Sequence, residues 1–412
     1  MQIKPLKNVQ SYVWKRTFLL SGVLLIVIGA AYLIASTQDY YRSVGKDFFS
    51  LWLAPHLILE GKNPYSPDDW IPAHSIYGAK WVSDATFLYP LPLAVFLIPL
   101  GLLPLEYAAV LWVALSIITI LSVVLLSFRI WLNSWAASTF IPVLIGVFFF
   151  RPVTVTLWLG QIDWIILLFL FVGLFLWEKQ DWFVGAILVT LSVLKPQLGF
   201  PVLAFLTVWL IIRRLWKGLL GESITLFGLF SLGWIFDHSW FLHWIEIGRS
   251  KIEPLFCCTP TLWGLGSLTC NFKIGCGFAL GMISAIILCV ILLIILARIP
   301  IRDARFALGF SIPVALLVSP YIWTYSQVSL VIPILIILGV LSGRQLPYML
   351  VAPFTLYISL FSSGIVFLSI KIGEDVLSSL VPAAVMVILL LVYRYSNEKR
   401  VIASSDSLPR TA

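Results

Sequence analysis

The chain has 412 residues, of which 60% are hydrophobic and 11% charged, and its mean hydropathy is +1.01. A soluble domain carries roughly 25% charged residues, and surface-to-volume scaling leaves too much exterior for this composition to be solvated by water. The composition therefore excludes a soluble enzyme, a disordered chain and a nucleic-acid binder. The formal charge of +8 reads as cytoplasmic loop charge facing anionic lipid.

Apolar windows able to cross a bilayer, about 20 residues each, recur from end to end. They lie near 18–36, 87–104, 107–128, 134–150, 162–177, 182–194, 197–212, 218–236, 274–297, 304–320, 325–341, 346–370 and 375–392. The first follows Lys4, Lys7, Lys15 and Arg16. With no small-residue cleavage site after it, it reads as a retained span and not a signal peptide. Residues 1–412 show no internal repeat and no separate soluble domain. The long polar excursions are 37–86 and 237–273, and a polar tail covers 393–412.

Basic residues set the orientation. The N-terminus, the run Arg213-Arg214-Leu215-Trp216-Lys217, the group Arg298, Arg302 and Arg305, and the tail with Arg394, Lys399 and Arg400 read as cytoplasmic. Counting back from Arg213 places Lys195 outside, Glu178 to Asp181 inside, and Arg151 to Asp163 outside. Loop 37–86 is also outside. Three windows then separate two external points, and parity forbids that. The weakest is 87–104, with Pro90, Pro92, Pro99 and Pro104. Proline breaks backbone hydrogen bonding, so this window is expected to be re-entrant or broken. The expected fold is an all-α polytopic membrane protein with twelve crossings and both termini inside.

Charge is scarce, so its placement carries information. Within loop 37–86, residues 46–61 read as a helix lying at the membrane surface, with Phe48, Phe49 and Trp52 as headgroup-level anchors. Pro55 should kink or split it. Gly61 and Asn63-Pro64-Tyr65 should stop it. At about 100° per residue, Asp47, Ser50, Ala54 and Ile58 share one face, and His56 and Glu60 point the other way. Asp47 is by spacing either a helix cap or a functional carboxylate. Lys195, between two apolar windows and before Pro196, is either a snorkelling end residue or the partner of an anion. Arg151 and Asp163 flank Gly160-Gln161 and are expected to pair with each other. The four histidines lack metal-ligand spacing, so no metal site is assigned. No nucleotide or phosphate-loop fingerprint is present, and no cofactor is expected. Cys257, Cys258, Cys270 and Cys276 fall in or beside the second outer loop, where an oxidising compartment permits bridges. At least one bridge between the 257/258 pair and 270/276 is expected.

Five short stretches then occur in an order that resembles glycosyltransferase family 87. They are Asp47-Phe48-Phe49 through Leu59-Glu60-Gly61-Lys62-Asn63-Pro64-Tyr65, Leu88-Tyr89-Pro90-Leu91-Pro92, Gly160-Gln161, Leu194-Lys195-Pro196-Gln197, and Ser319-Pro320-Tyr321-Ile322-Trp323-Thr324-Tyr325. The resemblance covers roughly residues 18–341. It implies a GT-C fold and an inverting transfer of a mannose-like hexose at the outer face. The donor would be a polyprenyl-phosphate sugar, and the acceptor a lipid or glycan. It also implies Asp47 as general base, Lys195 and Arg151 at the donor phosphate, and Asn63, Tyr65, Gln161, Gln197 and Tyr321 as substrate-binding residues. One departure stands out: family members often carry acidic residues or histidines after the Ser-Pro-Tyr motif, where this chain has Thr324, Ser326 and Gln327. The alternative from composition is a multi-span transporter or lipid-linked-sugar flippase. Against it, the halves look unrelated and the polar groups gather at one surface.

Overall fold

The computed structural model describes residues 27, 29–33, 46–79, 86–132, 137–252, 255–342, 351–372 and 375–405. The expected first span, 18–36, and the loop carboxylates Asp39 and Asp84 fall largely outside them. Every regular element among the described residues is helical. Chain order gives α1 Lys46–Leu59, α2 Pro67–Ile76, α3 Leu91–Phe96, α4 Ile98–Gly101, α5 Leu105–Ser127, α6 Ala137–Phe149 and α7 Arg151–Leu159. There follow α8 Asp163–Glu178, α9 Trp182–Thr190, α10 Pro196–Ile212, α11 Trp216–Phe236, α12 Trp240–Ile252 and α13 Leu262–Thr269. The last are α14 Ile274–Arg298, α15 Ala304–Val318, α16 Val331–Ser342, α17 Val351–Ile372 and α18 Leu380–Ser405. Short 3-10 segments at Leu191–Leu194, Thr324–Leu330 and Asp375–Ser379 lead into α10, α16 and α18.

Five of these helices are long and apolar enough to cross a membrane, or six if the bent pair 140–159 is one span. The legs run between two chemically distinct ends of one bundle. At the first end, Trp112 of α5 donates to the Gly160 carbonyl and Trp263 of α13 to that of Val318. Lys195 meets Asp163 there, at the start of α8. At the second end, Trp131 donates to Glu178 at the close of α8, Trp209 to the Ile299 carbonyl and Arg213 to that of Ala297. The basic residues 213, 298 and 305 thus lie at the end opposite Lys195.

Window 87–104 is broken, as its four prolines require. It becomes α3 and α4, of 6 and 4 residues, and Trp52 holds the following Leu103 carbonyl at the first end.

Three expectations need correction. α1 does not float at a surface: Phe48 is 0%, Phe49 2% and Trp52 3% exposed, because α2, α4 and α5 close around it. Pro55 does not split α1, which runs unbroken to Leu59. Gly101 faces the proline, and a Cβ there would lie 3.0 Å from the Pro55 Cβ, so the ring fits against bare backbone. Residues 151–159 form α7, bent by 56° from α6, with Pro152 in its first turn, where a missing N–H costs nothing. The disulfide joins Cys270 to Cys276, not the 257/258 pair to either. Asn271 and Phe272 take left-handed φ of 49° and 59°, which folds the link tightly enough for Cys270 at the end of α13 to reach Cys276, six positions on, in the first turn of α14.

Candidate functional site

The first end of the bundle gathers most of the candidate residues, and local backbone explains how. α7 ends on Gly160, whose φ of 67° is the left-handed cap that glycine supplies without a Cβ clash. That cap reverses the chain, sets Gln161 inward and starts α8 at Asp163. Both side chains are 0% exposed. Thirty residues on, the 3-10 turn Leu191–Leu194 meets α10 in a tight corner with Lys195 at its apex. Gly199 makes the corner possible, since a Cβ there would lie 2.1 Å from the Ser192 carbonyl oxygen. A Gly199→Ala protein is expected to lose several kcal/mol of stability and to fail thermal-shift and size-exclusion checks. A protein of unchanged melting temperature would show that the corner opens at no cost.

Lys195 is 2% exposed. Its Nζ donates to Asp163 Oδ2 in a buried ion pair and lies 4.5 Å from the centre of the Tyr325 ring. Asp47, in the first turn of α1, is within electrostatic reach of Lys195, Tyr89, Tyr321 and Tyr325. Tyr89 donates its hydroxyl to Gln161 Oε1 at 3.3 Å. Burial, and then the charges of Asp47 and Asp163, hold the Tyr89 phenol well above its usual range. Burial pushes Tyr321 up too, against a hydrogen bond with Trp323, and Asp47 adds to the rise. Both remain neutral hydroxyls that can donate.

Several buried polar atoms here lack a hydrogen-bond partner among the described residues: Asp163 Oδ1, Gln161 Nε2, Gln197 Oε1 and Ser326 Oγ. Buried polar atoms are almost always paired in folded proteins, so each of these four can still take a polar partner. A flank of the same wall is tied by Asp375, which accepts from Thr324 and from Ser378 Oγ, the latter at 2.6 Å.

The sequence-derived residues sort as follows. Asp47, Gln161, Lys195 and Tyr321 converge on one cluster, and Gln197 lies in the first turn of α10, two residues after Lys195. Arg151 does not pair with Asp163; Lys195 takes that carboxylate. Arg151 instead interacts electrostatically with Asp375, and its backbone N–H donates to Ser362 Oγ at 3.2 Å. Asn63 and Tyr65 stand at the rim, within a frame. Asn63 Oδ1 accepts from the Tyr65 N–H at 2.9 Å, and Tyr65 donates to the Tyr89 carbonyl at 2.7 Å. Glu60 is exposed and engaged elsewhere, with Lys62 and Tyr77. Lys62 first, and then Tyr77, hold its carboxyl below the usual range, and burial with Glu60 pushes Tyr77 up to about 12. Sequence reasoning passed over Tyr89, Tyr325 and Asp375. Tyr89 and Tyr325 had a signal, each sitting inside one of the five quoted stretches.

The sequence model of glycosyltransferase family 87 matches residues 87–320, more than half of the chain. The chain belongs to glycosyltransferase family 87. It is a glycosyltransferase, taking a sugar donor and an acceptor, built as an all-helical protein with several membrane-length apolar helices. The matched segment contains Tyr89, Gln161, Asp163 and Lys195, and stops at the Ser319-Pro320 pair before Tyr321. No curated protein and no solved structure matches the chain.

Proposed function

We propose that this family member is an inverting, GT-C-type hexosyltransferase that uses a polyprenyl-phosphate sugar and works at the external end of twelve crossings. The observation that carries the reading is the buried Lys195–Asp163 pair lying in the field of the Asp47 carboxylate. A cation, a carboxylate and unpartnered hydroxyl-binding atoms are what transfer from a phosphate-linked sugar requires. The acceptor hydroxyl oxygen attacks the anomeric carbon, and Asp47 takes its proton as that bond forms. The anomeric carbon–oxygen bond to phosphate breaks, and its electron pair leaves on the polyprenyl phosphate, whose charge Lys195 and Arg151 stabilise. Attack from the face opposite the phosphate inverts the anomeric centre. Asp163 Oδ1, Gln161 Nε2 and Gln197 Oε1 are free to bond the sugar hydroxyls, and Tyr321 closes the same wall. Asn63 and Tyr65 shape the rim where a lipid or glycan acceptor enters.

A lipid donor also needs an apolar berth. α17 and α18 enclose a groove of about 440 Å³ lined by Ile358, Phe361, Val381, Val385 and Ile388. Ser362, next to Phe361 on α17, accepts from the Arg151 backbone N–H, which ties this helix to the proposed phosphate-binding arginine, and the apolar lining suits a polyisoprenoid tail.

The topology behind this reading is twelve crossings with both termini in the cytoplasm: eleven legs from α5 onward and the first window. Some legs, such as 182–194, are short for a bilayer, and the 3-10 turns that extend them are tolerated because protein encloses them. Cysteines placed at the exposed positions Asp68 and Glu246 are expected to react with an impermeant maleimide on intact cells, above the unsubstituted background. One at Lys217 is expected to react only after lysis. Labelling at 217 but not at 68 in intact cells would reverse the orientation.

The decisive assay incubates purified protein with radiolabelled polyprenyl-phosphate mannose, glucose or arabinose and membrane lipids. Transfer of label into lipid or glycan with an inverted linkage is the expected result. Movement of intact donor across vesicles without transfer would support the flippase reading instead.

A further inference from the structure

We infer that Cys257 and Cys258 form a disulfide between adjacent residues, closing a ring in the turn that joins α12 to α13. The two residues lie in one 3-10 turn, Phe256–Cys258, and their sulfurs approach to 2.7 Å. Even two carbon atoms in plain contact settle roughly 3.5–4.0 Å apart, and sulfur is larger. The pair is therefore poised for a bond and not merely packed. Both side chains are half-buried, so an oxidant can reach them.

A second observation comes from the neighbouring segment. Cys270 and Cys276 are already bridged, at the junction of α13 and α14. α13 follows the Cys257–Cys258 turn directly, and Trp263 on α13 donates to the Val318 carbonyl at the same end of the bundle as Tyr321. Bridges persist only where the compartment is oxidising, so whatever sustains the 270–276 bond acts on the 257–258 turn too.

The chemistry balances with a disulfide as oxidant. The Cys257 thiolate attacks one sulfur of a small-molecule or protein disulfide, forming a mixed disulfide and releasing one thiol. The Cys258 thiolate then attacks the Cys257 sulfur; the ring bond forms and a second thiol leaves. Two protons and two electrons pass from the pair to the oxidant.

The position gives the ring a consequence. Upstream, α12 is fastened over the rim, with Trp244 donating to the Leu88 carbonyl at 3.1 Å and Asp237 meeting both His243 and Asn63. Downstream, Thr259 is 0% exposed, and its carbonyl oxygen would lie 2.0 Å from a Cβ at Gly264. α13 also packs on Val376, beside Asp375. A closed ring thus fixes the link between the rim helix and the wall of the site. This holds whether or not the proposed sugar donor is correct.

The test counts thiols in the full-length protein purified without reductant. It is alkylated with N-ethylmaleimide at mildly acidic pH, unfolded, alkylated again, and analysed as intact protein and as peptides. Of the five cysteines, only Cys289 is expected to carry an adduct. The peptide holding Cys257 and Cys258 is expected to be lighter by two hydrogens and linked to no other. Three adducts, on 257, 258 and 289, would overturn the inference. So would a cross-linked peptide joining 257 or 258 to 270 or 276. In Cys258→Ser, Cys257 is expected to become a second adduct. Should that variant misfold, the wild-type count decides alone.

Discussion

Asp47→Asn is expected to lower sugar transfer by at least ~10²-fold while donor binding stays intact. Asparagine keeps the size and the hydrogen-bonding shape but cannot accept a proton. The carboxylate sits in the first turn of α1, where a helix N-terminus favours negative charge. It also sits within electrostatic reach of Lys195, beside the cluster where a base would act. α1 is held mainly by apolar contacts of Phe48, Leu51, Trp52 and Leu57, each 3% exposed or less, so the variant is expected to fold. The control is Glu60→Gln. Glu60 belongs to the exposed group with Lys62 and Tyr77, away from the cluster, and its loss is expected to leave turnover within about twofold. Single-turnover rates and donor-binding isotherms for both variants separate chemistry from affinity. An Asp47→Asn enzyme with near-normal single-turnover rate would remove the general-base assignment.

How much of this was legible in the sequence depends on the range of each interaction. Parity of crossings placed Asp47, Gln161, Lys195 and Tyr321 on one side, and they meet at one end of the bundle. Basic clusters and apolar runs are long and local, so a sequence carries that much. The four prolines of 87–104 gave an equally local signal, and the segment is indeed two short helices. The failures are of another kind. Phe48, Phe49 and Trp52 look the same in sequence whether they face lipid or protein, because both surroundings are apolar. Arg151 is near Asp163 in the chain, and Lys195 is 32 residues away. The Gly160 cap turns Asp163 toward Lys195, and a one-dimensional reading has no access to that turn. The cysteine pairing failed likewise, on a turn in which Phe272, a bulky residue that rarely adopts left-handed φ, follows Asn271 into that region. Asp375 lies outside both the quoted motifs and the matched segment. It bonds Thr324, and so brings an acidic group to the place after the Ser-Pro-Tyr motif where the sequence lacks one.

The largest effect on the protein as a whole is expected at Lys195. In Lys195→Met, Asp163 is left 0% exposed with no cation, and removing one partner of a buried ion pair costs about 3–5 kcal/mol. Typical proteins have only ~5–15 kcal/mol in hand, so the single variant is expected to accumulate poorly and melt early. Its inactivity would say nothing about the donor. The informative protein is Asp163→Asn combined with Lys195→Met, which removes both charges at once. Replacing a buried pair by neutral groups is often close to neutral for folding, so this double variant is expected to recover the yield and melting temperature. It is not expected to recover donor binding. A buried cation facing a phosphate contributes about 2–5 kcal/mol, which at ~1.4 kcal/mol per decade is a donor Kd raised roughly 30-fold or more. Asp163→Asn alone keeps the cation and loses its resident counter-ion, so it is expected to fold less well but to retain donor affinity once folded. If the double variant folds and binds donor as the parent does, Lys195 serves only to neutralise Asp163, and the phosphate must be met by Arg151 without it.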